Sequence, residues 1–313
     1  MKLESLLGIS AKDLGLRFNL VGLMPMVLLV LFWMSLAWSG APAQAPQLGQ
    51  IFQQAEGLSA AQWILLGLGV LALAAVLQPL QTGYLRLLEG YWGSSRVGTW
   101  LSRLGVERQR KARQALLAAT RTDKSDPNDI SPDELERMNA AAYSLQHNYP
   151  KDEGRLLPTA LGNRLRAAEA RPYENYGLDA LVTWPSLAPL LSPDLKATLA
   201  DQRNQLDLAA RLQLTFILCA VLGGIYLYRW GWWLLVPLGA LGLAWLAYRA
   251  AVSAALAYGE SIQAAYHLHR FDLLEALHLP LPPSREEEMC ANQQLSNFLK
   301  DGSENLRYEH GSK

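Results

Sequence analysis

Apolar residues in this chain are gathered into long runs. Residues 18–38 and residues 57–85 contain no charged side chain, and residues 212–248 contain a single one, Arg229. A helix needs about 20 apolar residues to cross the hydrocarbon core of a bilayer. The pattern therefore predicts four transmembrane helices arranged as two hairpins, the second of which turns near Arg229.

The helical pattern continues beyond the predicted spans. It runs without a break from Ser192 into the third span, and from the fourth span as far as Pro280. We therefore expect a mostly α-helical protein in which long helices extend from the membrane into a mainly helical cytoplasmic domain. The chain after residue 283 opens acidic and ends polar, so we expect this tail to be partly mobile. The predicted parts are a cytoplasmic amphipathic N-terminal segment (1–17), transmembrane helices 1 and 2 (18–85), a cytoplasmic basic domain (86–211), transmembrane helices 3 and 4 (212–250), and a cytoplasmic helix and tail (251–313).

Two helices of the basic domain have recognisable starts. Ser131 followed by Pro132 predicts one start, because serine caps a helix and proline suits its first position. Thr159 predicts the next start, and we expect that helix to end at Pro172. The apolar run 176–185 fits either a buried strand or a helical turn, since short runs do not reveal their period.

Lysine and arginine determine the predicted orientation. Residues 39–61 contain neither, whereas residues 86–211 contain eighteen. Because loops rich in positive charge stay in the cytoplasm, we expect both termini and the basic domain to be cytoplasmic. The chain has only two cysteines, Cys219 and Cys290, so no disulfide framework is expected. Together these features predict a multi-pass inner-membrane protein, in contact with membrane lipid.

Sequence patterns of catalysis are missing. The chain has no glycine loop that would cradle a phosphate, no histidine pair at metalloprotease spacing and no nucleophile elbow. His267 and His269 are two residues apart, which on a helix directs them to different faces. No predicted span contains an acid or a histidine of the kind used in proton-coupled transport. We therefore expect a protein that is not an enzyme and that uses no metal and no cofactor.

Small residues recur along the fourth predicted span. They are spaced by three and four positions, which forms a smooth stripe where another helix can approach closely. The stripe either packs the helices of one chain or builds a homo-oligomer around a pore, and the sequence leaves both open. The residues concerned are Ala240, Ala244, Ala247 and Ala251.

Arginine and tyrosine are concentrated in residues 155–176. The candidate ligand-binding residues are Arg155, Arg164, Arg166, Arg171, Tyr173 and Tyr176. The basic residues of this domain have three interpretations. They orient the protein in the membrane, they contact anionic lipid through residues 103–124, or they bind a soluble anion. For a nucleotide or single-stranded DNA, the tyrosines would have to be exposed so that bases stack on them.

The block LPTALGNRLRAAEARPYENYGLDALVTWPSLAPLL, residues 157–191, resembles the cytoplasmic signature of four-span bacterial membrane effectors of anti-phage defence. The type it most resembles is the Hailong channel protein, and outside this block the likeness is one of layout. The resemblance implies a ligand-gated oligomeric channel that is restrained by a DNA oligomer, which a partner nucleotidyltransferase makes. The alternative is a non-conducting scaffold or receptor subunit that recruits cytoplasmic partners.

Overall fold

The computed structural model describes residues 11–93, 95–121, 131–303 and 305–308, with side chains from residue 22 onwards except residues 77–82. Within these ranges the regular structure is entirely helical, which confirms the mostly α-helical fold class. The predicted segment 1–17 lies largely outside the described residues. In chain order the helices are α1 (Ala11–Trp38), α2 (Leu48–Glu56), α3 (Ala60–Glu89), α4 (Arg96–Ala119), α5 (Pro132–Asn148), α6 (Ala160–Tyr176), α7 (Ala180–Leu187), α8 (Pro193–Leu227), α9 (Leu235–Ala276) and α10 (Arg285–Asp301).

The chain divides into two compact units. One contains the chain up to Leu85 together with Arg203–Ala254, and we call it the membrane unit. The other contains Arg86–Gln202 and the chain from Ala255 onwards, and we call it the head unit. The helices α8 and α9 each contribute residues to both units without a break, as the uninterrupted helical pattern predicted.

Two helices of the described chain are long and apolar enough to cross a membrane. They are Pro193–Leu227 and the stretch Gly231–Ala276. A third span would be formed by α2 with the first part of α3, which meet at a bend of 107°. The described apolar part of α1, Gly22–Trp38, is shorter than a full span. Two candidate spans are therefore established, and the four-span arrangement stays a prediction.

Helix packing in the membrane unit relies on small and aliphatic side chains. Leu29 of α1 packs against Cys219 and Ala220 of α8 and against Ala240 of α9. The other side of α9 presents leucines to the surroundings, among them Leu241, which is exposed. A helix that is apolar on its outer side as well as its inner side suits lipid better than water.

The core of the head unit is assembled from α6 to α10. Leu178, Leu187, Tyr266, Leu273 and Leu295 are buried in one cluster. Burying a side chain of this size stabilises a fold by about 1.5–3 kcal/mol relative to leaving it in water. This core positions α6, which carries the arginine-rich block.

Helix α6 does not end at Pro172, contrary to the sequence prediction. Proline removes one backbone hydrogen bond inside a helix, but Pro172 is buried within the packed head unit, and that packing offsets the loss. The helix ends at Gly177, whose φ of 78° is one that glycine adopts without strain. The N–H of Gly177 donates to the Tyr173 carbonyl at 2.9 Å, and that of Leu178 donates to the Pro172 carbonyl at 3.3 Å.

Helix starts were predicted more accurately. The Ser131 hydroxyl accepts from the Glu134 N–H at 3.3 Å, and the Thr159 hydroxyl accepts from the Gly162 N–H at 3.0 Å. The ambiguous run 176–185 contains the start of α7, where the Asp179 carboxylate accepts from the backbone at 3.0 Å. Its helical alternative is therefore the correct one.

The predicted mobile tail is a packed helix over most of its length. Helix α10 begins at the cap Ser284, and its side chains Asn292 and Leu295 are buried. Arg270 of α9 pairs with Glu288 of α10 at 2.7 Å. Apolar and polar contacts together hold Arg285–Asp301 against the head unit, because Leu295 lies in its core beside the buried Glu288 and Asn292. The partial mobility of the tail stays a prediction.

Candidate anion-binding cleft

A cleft of about 370 Å³ opens between α4, α5 and α6 in the head unit. Its volume lies in the range of about 300–1,000 Å³ that is usual for small-molecule sites. Arg113 of α4, Lys151 after α5 and Arg171 of α6 bring positive charge to its lining, against one carboxylate, Glu174. The lining is therefore net positive, which favours an anion.

Arg171 is the most deeply buried charged group of the cleft, with 4% of its surface exposed. Its Nη1 donates to the Gln263 Oε1 at 2.8 Å, and its Nη2 donates to the Gln146 carbonyl at 2.7 Å. Its Nε has no hydrogen-bond partner among the described residues. A buried donor left without a partner costs about 1–3 kcal/mol. Burial lowers the pKa of Arg171, although a guanidinium keeps its charge.

Arg113, which also lines the cleft, has a similar set of hydrogen bonds. Its Nη2 donates to the Lys151 carbonyl at 2.9 Å, while its Nε is buried and has no partner in the described part of the chain. Its Nη1 lies 3.9 Å from Glu153, but that carboxylate also binds Arg110 at 2.9 Å. The charge of Arg113 is therefore only partly neutralised.

The remaining polar groups do not cancel this positive charge. Lys151 lies 3.3 Å from Glu174, and the lysine is exposed, so the pair is screened by water. Tyr149 presents an aromatic ring to the lining, and its hydroxyl donates to Gln109 at 3.1 Å. Burial raises the pKa of Tyr149, which keeps the phenol neutral.

The cleft is linked directly to α9. Gln263, which accepts from Arg171, belongs to this helix, and so does Glu260 one turn earlier. Glu260 accepts a 2.5 Å hydrogen bond from the Tyr143 hydroxyl of α5. The ring of Tyr143 stacks on His147 with centroids 3.9 Å apart. Two residues of α9 therefore form hydrogen bonds with the helices that line the cleft.

Among the residues predicted from sequence to bind a ligand, only Arg171 lines the cleft. Arg155 is exposed at a short 3-10 turn elsewhere. Arg164 donates to Asn148 at 2.7 Å. Arg166 donates to the Tyr91 hydroxyl at 2.8 Å.

The two predicted tyrosines differ from each other. Tyr173 is exposed, whereas Tyr176 is buried in the core. The hydroxyl of Tyr176 contacts His267, and the Arg270 guanidinium lies 4.8 Å from its ring centroid. A base can stack only on an exposed ring, so Tyr176 is a packing residue rather than a stacking platform.

Sequence reasoning missed Arg113, Lys151 and Gln146 as parts of one site. Arg113 belongs to the basic helix, but nothing in its local sequence separates it from the neighbouring arginines. The distinguishing feature is its place in the lining of the cleft, which depends on side chains from other helices.

The predicted alanine stripe is buried within a single chain. Ala240, Ala244, Ala247 and Ala251 are each at most 8% exposed. They pack helices of this chain and have little surface left for a neighbouring copy or a pore.

Clusters of metal-binding side chains are absent from the described part of the chain. His269 instead pairs with Asp272 at 2.7 Å on the same helix. Comparison with protein-family models, curated proteins and solved structures finds no match to this chain. Its function is therefore argued from the cleft and the helices around it.

Proposed function

We propose that this chain is a membrane protein whose head unit binds a phosphate-bearing ligand in the cleft and transmits the bound state to the membrane helices. The observation that carries the proposal is the pair of hydrogen-bonding roles of Arg171. Its buried Nε lacks a partner in the described chain, while its Nη1 holds Gln263 of α9. The side chain of Arg171 thus lines the cleft and also contacts the long helix α9.

The ligand chemistry follows from the donors that the cleft offers. Arg113 and Arg171 each keep an unpartnered Nε–H, and both line the same cleft. Guanidinium groups bind phosphate and carboxylate oxygens through short, charge-assisted hydrogen bonds. We infer that a phosphate bound in the cleft draws on the guanidinium groups of both arginines. A nucleotide or the end of a single-stranded DNA supplies such a phosphate, and the ring of Tyr149 offers a flat surface for a base.

Transmission requires a ligand that prefers one conformation of the protein over another. We infer that a phosphate bound by the Arg171 guanidinium shifts this group and thereby weakens the hydrogen bond from its Nη1 to Gln263. Because Gln263 lies on α9, release of that bond changes the side-chain contacts of a helix that continues into a candidate span. This hydrogen bond is the contact that we propose to differ between the ligand-free and the ligand-bound protein.

The wider setting of this proposal comes from the resemblance of residues 157–191. It comprises an oligomeric ion channel of the bacterial inner membrane, a role in anti-phage defence, and a partner nucleotidyltransferase that makes the ligand. Since the alanine stripe is covered within one chain, the oligomer would form through other surfaces.

The test is binding of fluorescent single-stranded DNA and of a fluorescent nucleotide to the detergent-purified full chain, measured by anisotropy. Arg113→Lys keeps the charge but removes the guanidinium, so we expect binding to weaken about tenfold or more. Arg155→Gln removes an exposed arginine outside the cleft and is the matched control, with little change expected. Binding should also weaken steeply with salt if phosphates are neutralised.

Two outcomes would overturn the proposed binding site. The first is an Arg113→Lys variant that binds both probes as well as the wild type, and the second is no binding of either probe at low salt.

Transmission to the membrane helices is tested separately. The reconstituted protein in planar bilayers should conduct, and its conductance should change when the probe is added. A protein that binds the probe but never conducts would favour the non-conducting scaffold.

A further inference from the structure

The first half of α4 has an exposed apolar face. Val97, Trp100, Leu101 and Leu104, which we call the α4 stripe, are between 41% and 67% exposed. Their spacing of three and four residues places them on one side of the helix. A large apolar patch on a protein surface marks an interaction site. Something apolar therefore covers this face.

The stripe is held outward by packing on another side of α4. A Cβ added at Gly105 would come within 2.8 Å of the Pro158 carbonyl oxygen, so the helix is in close contact there. The start of α4 is fixed as well, because the Ser95 hydroxyl accepts from the Gly98 N–H at 3.1 Å. Rotation of α4 that buried the stripe would disrupt the close approach of Gly105 to Pro158.

Exposed arginines lie beside the stripe and after it. Arg96, Arg103 and Arg108 are all exposed. Arg96 is the first residue of the helix, whose first turn contains no acid. A cation at this end opposes the helix dipole, which favours negative charge there. An anionic surface beside the stripe would offset this cost.

The position of α4 along the chain identifies that surface. Helix α3 ends at Glu89, and α4 begins at Arg96 after a short connection. The first part of α3, Ala60–Val76, belongs to the bent pair that has the length and composition of a membrane span. The stripe thus follows the same helix that begins with this segment of membrane character, and a short connection separates the two helices.

We propose that the α4 stripe lies in the interface of an anionic bilayer, with its apolar side chains below the headgroups and its arginines on their phosphates. Basic helices with one apolar face bind membranes in this way. The inference does not depend on the ligand of the cleft. It has a consequence for that cleft, since Arg113 is carried by the same helix.

The experiment places a fluorophore on the stripe of the full-length protein. Leu104→Cys is made in a background with Cys219→Ala and Cys290→Ser, labelled with an environment-sensitive dye and reconstituted into phosphatidylcholine vesicles containing phosphatidylglycerol. Leu181→Cys is the matched control, because Leu181 is an equally apolar side chain, 67% exposed, on another helix of the head unit. Trp100→Cys replaces Leu104→Cys if that variant does not fold.

We expect nitroxide-labelled lipid to quench the dye at position 104 and to leave the dye at position 181 unaffected. Combined Arg96→Gln and Arg103→Gln should lower the ratio of inserted to detached helix by roughly 25-fold, since each basic side chain near an anionic surface contributes about fivefold. Reconstitution into vesicles without phosphatidylglycerol should lower this ratio to a similar extent.

Three results would overturn the inference. Equal quenching at positions 104 and 181 would show that the stripe does not contact lipid. A blue-shifted emission without quenching would show that protein, such as a second copy of the chain, covers it. Quenching that responds neither to the arginine substitutions nor to the lipid composition would show that anionic headgroups are not its partner.

Discussion

The hydroxyls of Thr183 and Tyr266 lie 2.9 Å apart in the fully buried core of the head unit. The Thr183 hydroxyl also donates its proton to the Asp179 carbonyl at 2.8 Å. Thr183 must therefore accept from Tyr266. Thr183 therefore has a second hydrogen-bond partner, Asp179, whereas Tyr266 depends on Thr183 as its acceptor.

The first prediction follows from the different hydrogen-bonding roles of Thr183 and Tyr266. Thr183→Val leaves the Tyr266 hydroxyl buried without an acceptor, and we expect it to lower the free energy of unfolding by about 1–3 kcal/mol. Tyr266→Phe leaves Thr183 with its Asp179 acceptor, so the cost should be smaller, about 0.5–1.5 kcal/mol. Denaturant unfolding of the purified chain measures both. A larger loss for Tyr266→Phe would contradict the assigned direction.

Gly177→Ala should destabilise the head unit more than Gly302→Ala. Both glycines have positive φ, 78° and 70°, which costs alanine about 1–2 kcal/mol. A Cβ at Gly177 would also come within 2.6 Å of the Met289 carbonyl, whereas nothing lies within 4 Å of one at Gly302. The difference between the two melting temperatures isolates this contact. Equal melting temperatures would mean that α10 moves aside freely.

Glu169→Gln should stabilise the protein at neutral pH. Burial raises the pKa of Glu169, against the opposing effect of Arg166. A carboxyl with a raised folded-state pKa favours the fold most below its unfolded pKa, and this contribution is lost as pH rises through the folded pKa. The gain from glutamine should therefore shrink as pH falls through the raised folded-state pKa, and it should be almost gone below 4.5, the ordinary value for this carboxyl. Melting curves across acidic and neutral pH test this, and a constant difference would argue against it.

Gln263→Leu should uncouple ligand binding from conductance. It removes the α9 acceptor of Arg171 without touching the Nε donors of the cleft. We expect the anisotropy change with single-stranded DNA to persist, while conductance in planar bilayers no longer responds to it. Tyr143→Phe, which removes the neighbouring bond to Glu260, is the control for a general loosening of α9. Unchanged ligand response in Gln263→Leu would rule out this hydrogen bond as the route.

The proposed orientation predicts opposite behaviour of two phosphatase fusions. A fusion after Gln44 should be active outside the cytoplasm, and a fusion after Thr120 should be inactive. The physical reason is the absence of lysine and arginine from residues 39–61, against their abundance in residues 86–211. Reversed activities, at equal amounts of fusion protein, would place the head unit outside.

Local interactions explain which parts of the fold the sequence predicts. Ser131 and Thr159 cap helices through hydrogen bonds within three residues, so their neighbours are sufficient to identify them. The passage of α6 through Pro172 depends instead on burial by other helices. The buried face of α10 contains Glu288 and Asn292, which no hydrophobic pattern would identify.

The candidate site likewise combines features that local sequence predicts with features that depend on packing between helices. Arginine enrichment is visible in the sequence, and Arg171 was selected on that basis. That Arg171 and Arg113 line one cleft depends on the packing of α4 against α5 and α6. The burial of Tyr176 likewise depends on His267 and Arg270 from a distant part of the chain.

Helix α10 has a consequence for the order of events during biosynthesis. It completes the backbone turn after α6, since Asn292 donates to the Tyr176 carbonyl and Ser296 accepts from the Asp179 N–H. These pairs are separated by 116 and 117 residues, which include both candidate spans. A ribosome adding about 5–20 residues per second needs roughly 6–25 s to cover that interval. The core of the head unit therefore cannot be completed before both candidate spans have been synthesised, and a nascent chain arrested between them exposes an unfinished core to chaperones and proteases.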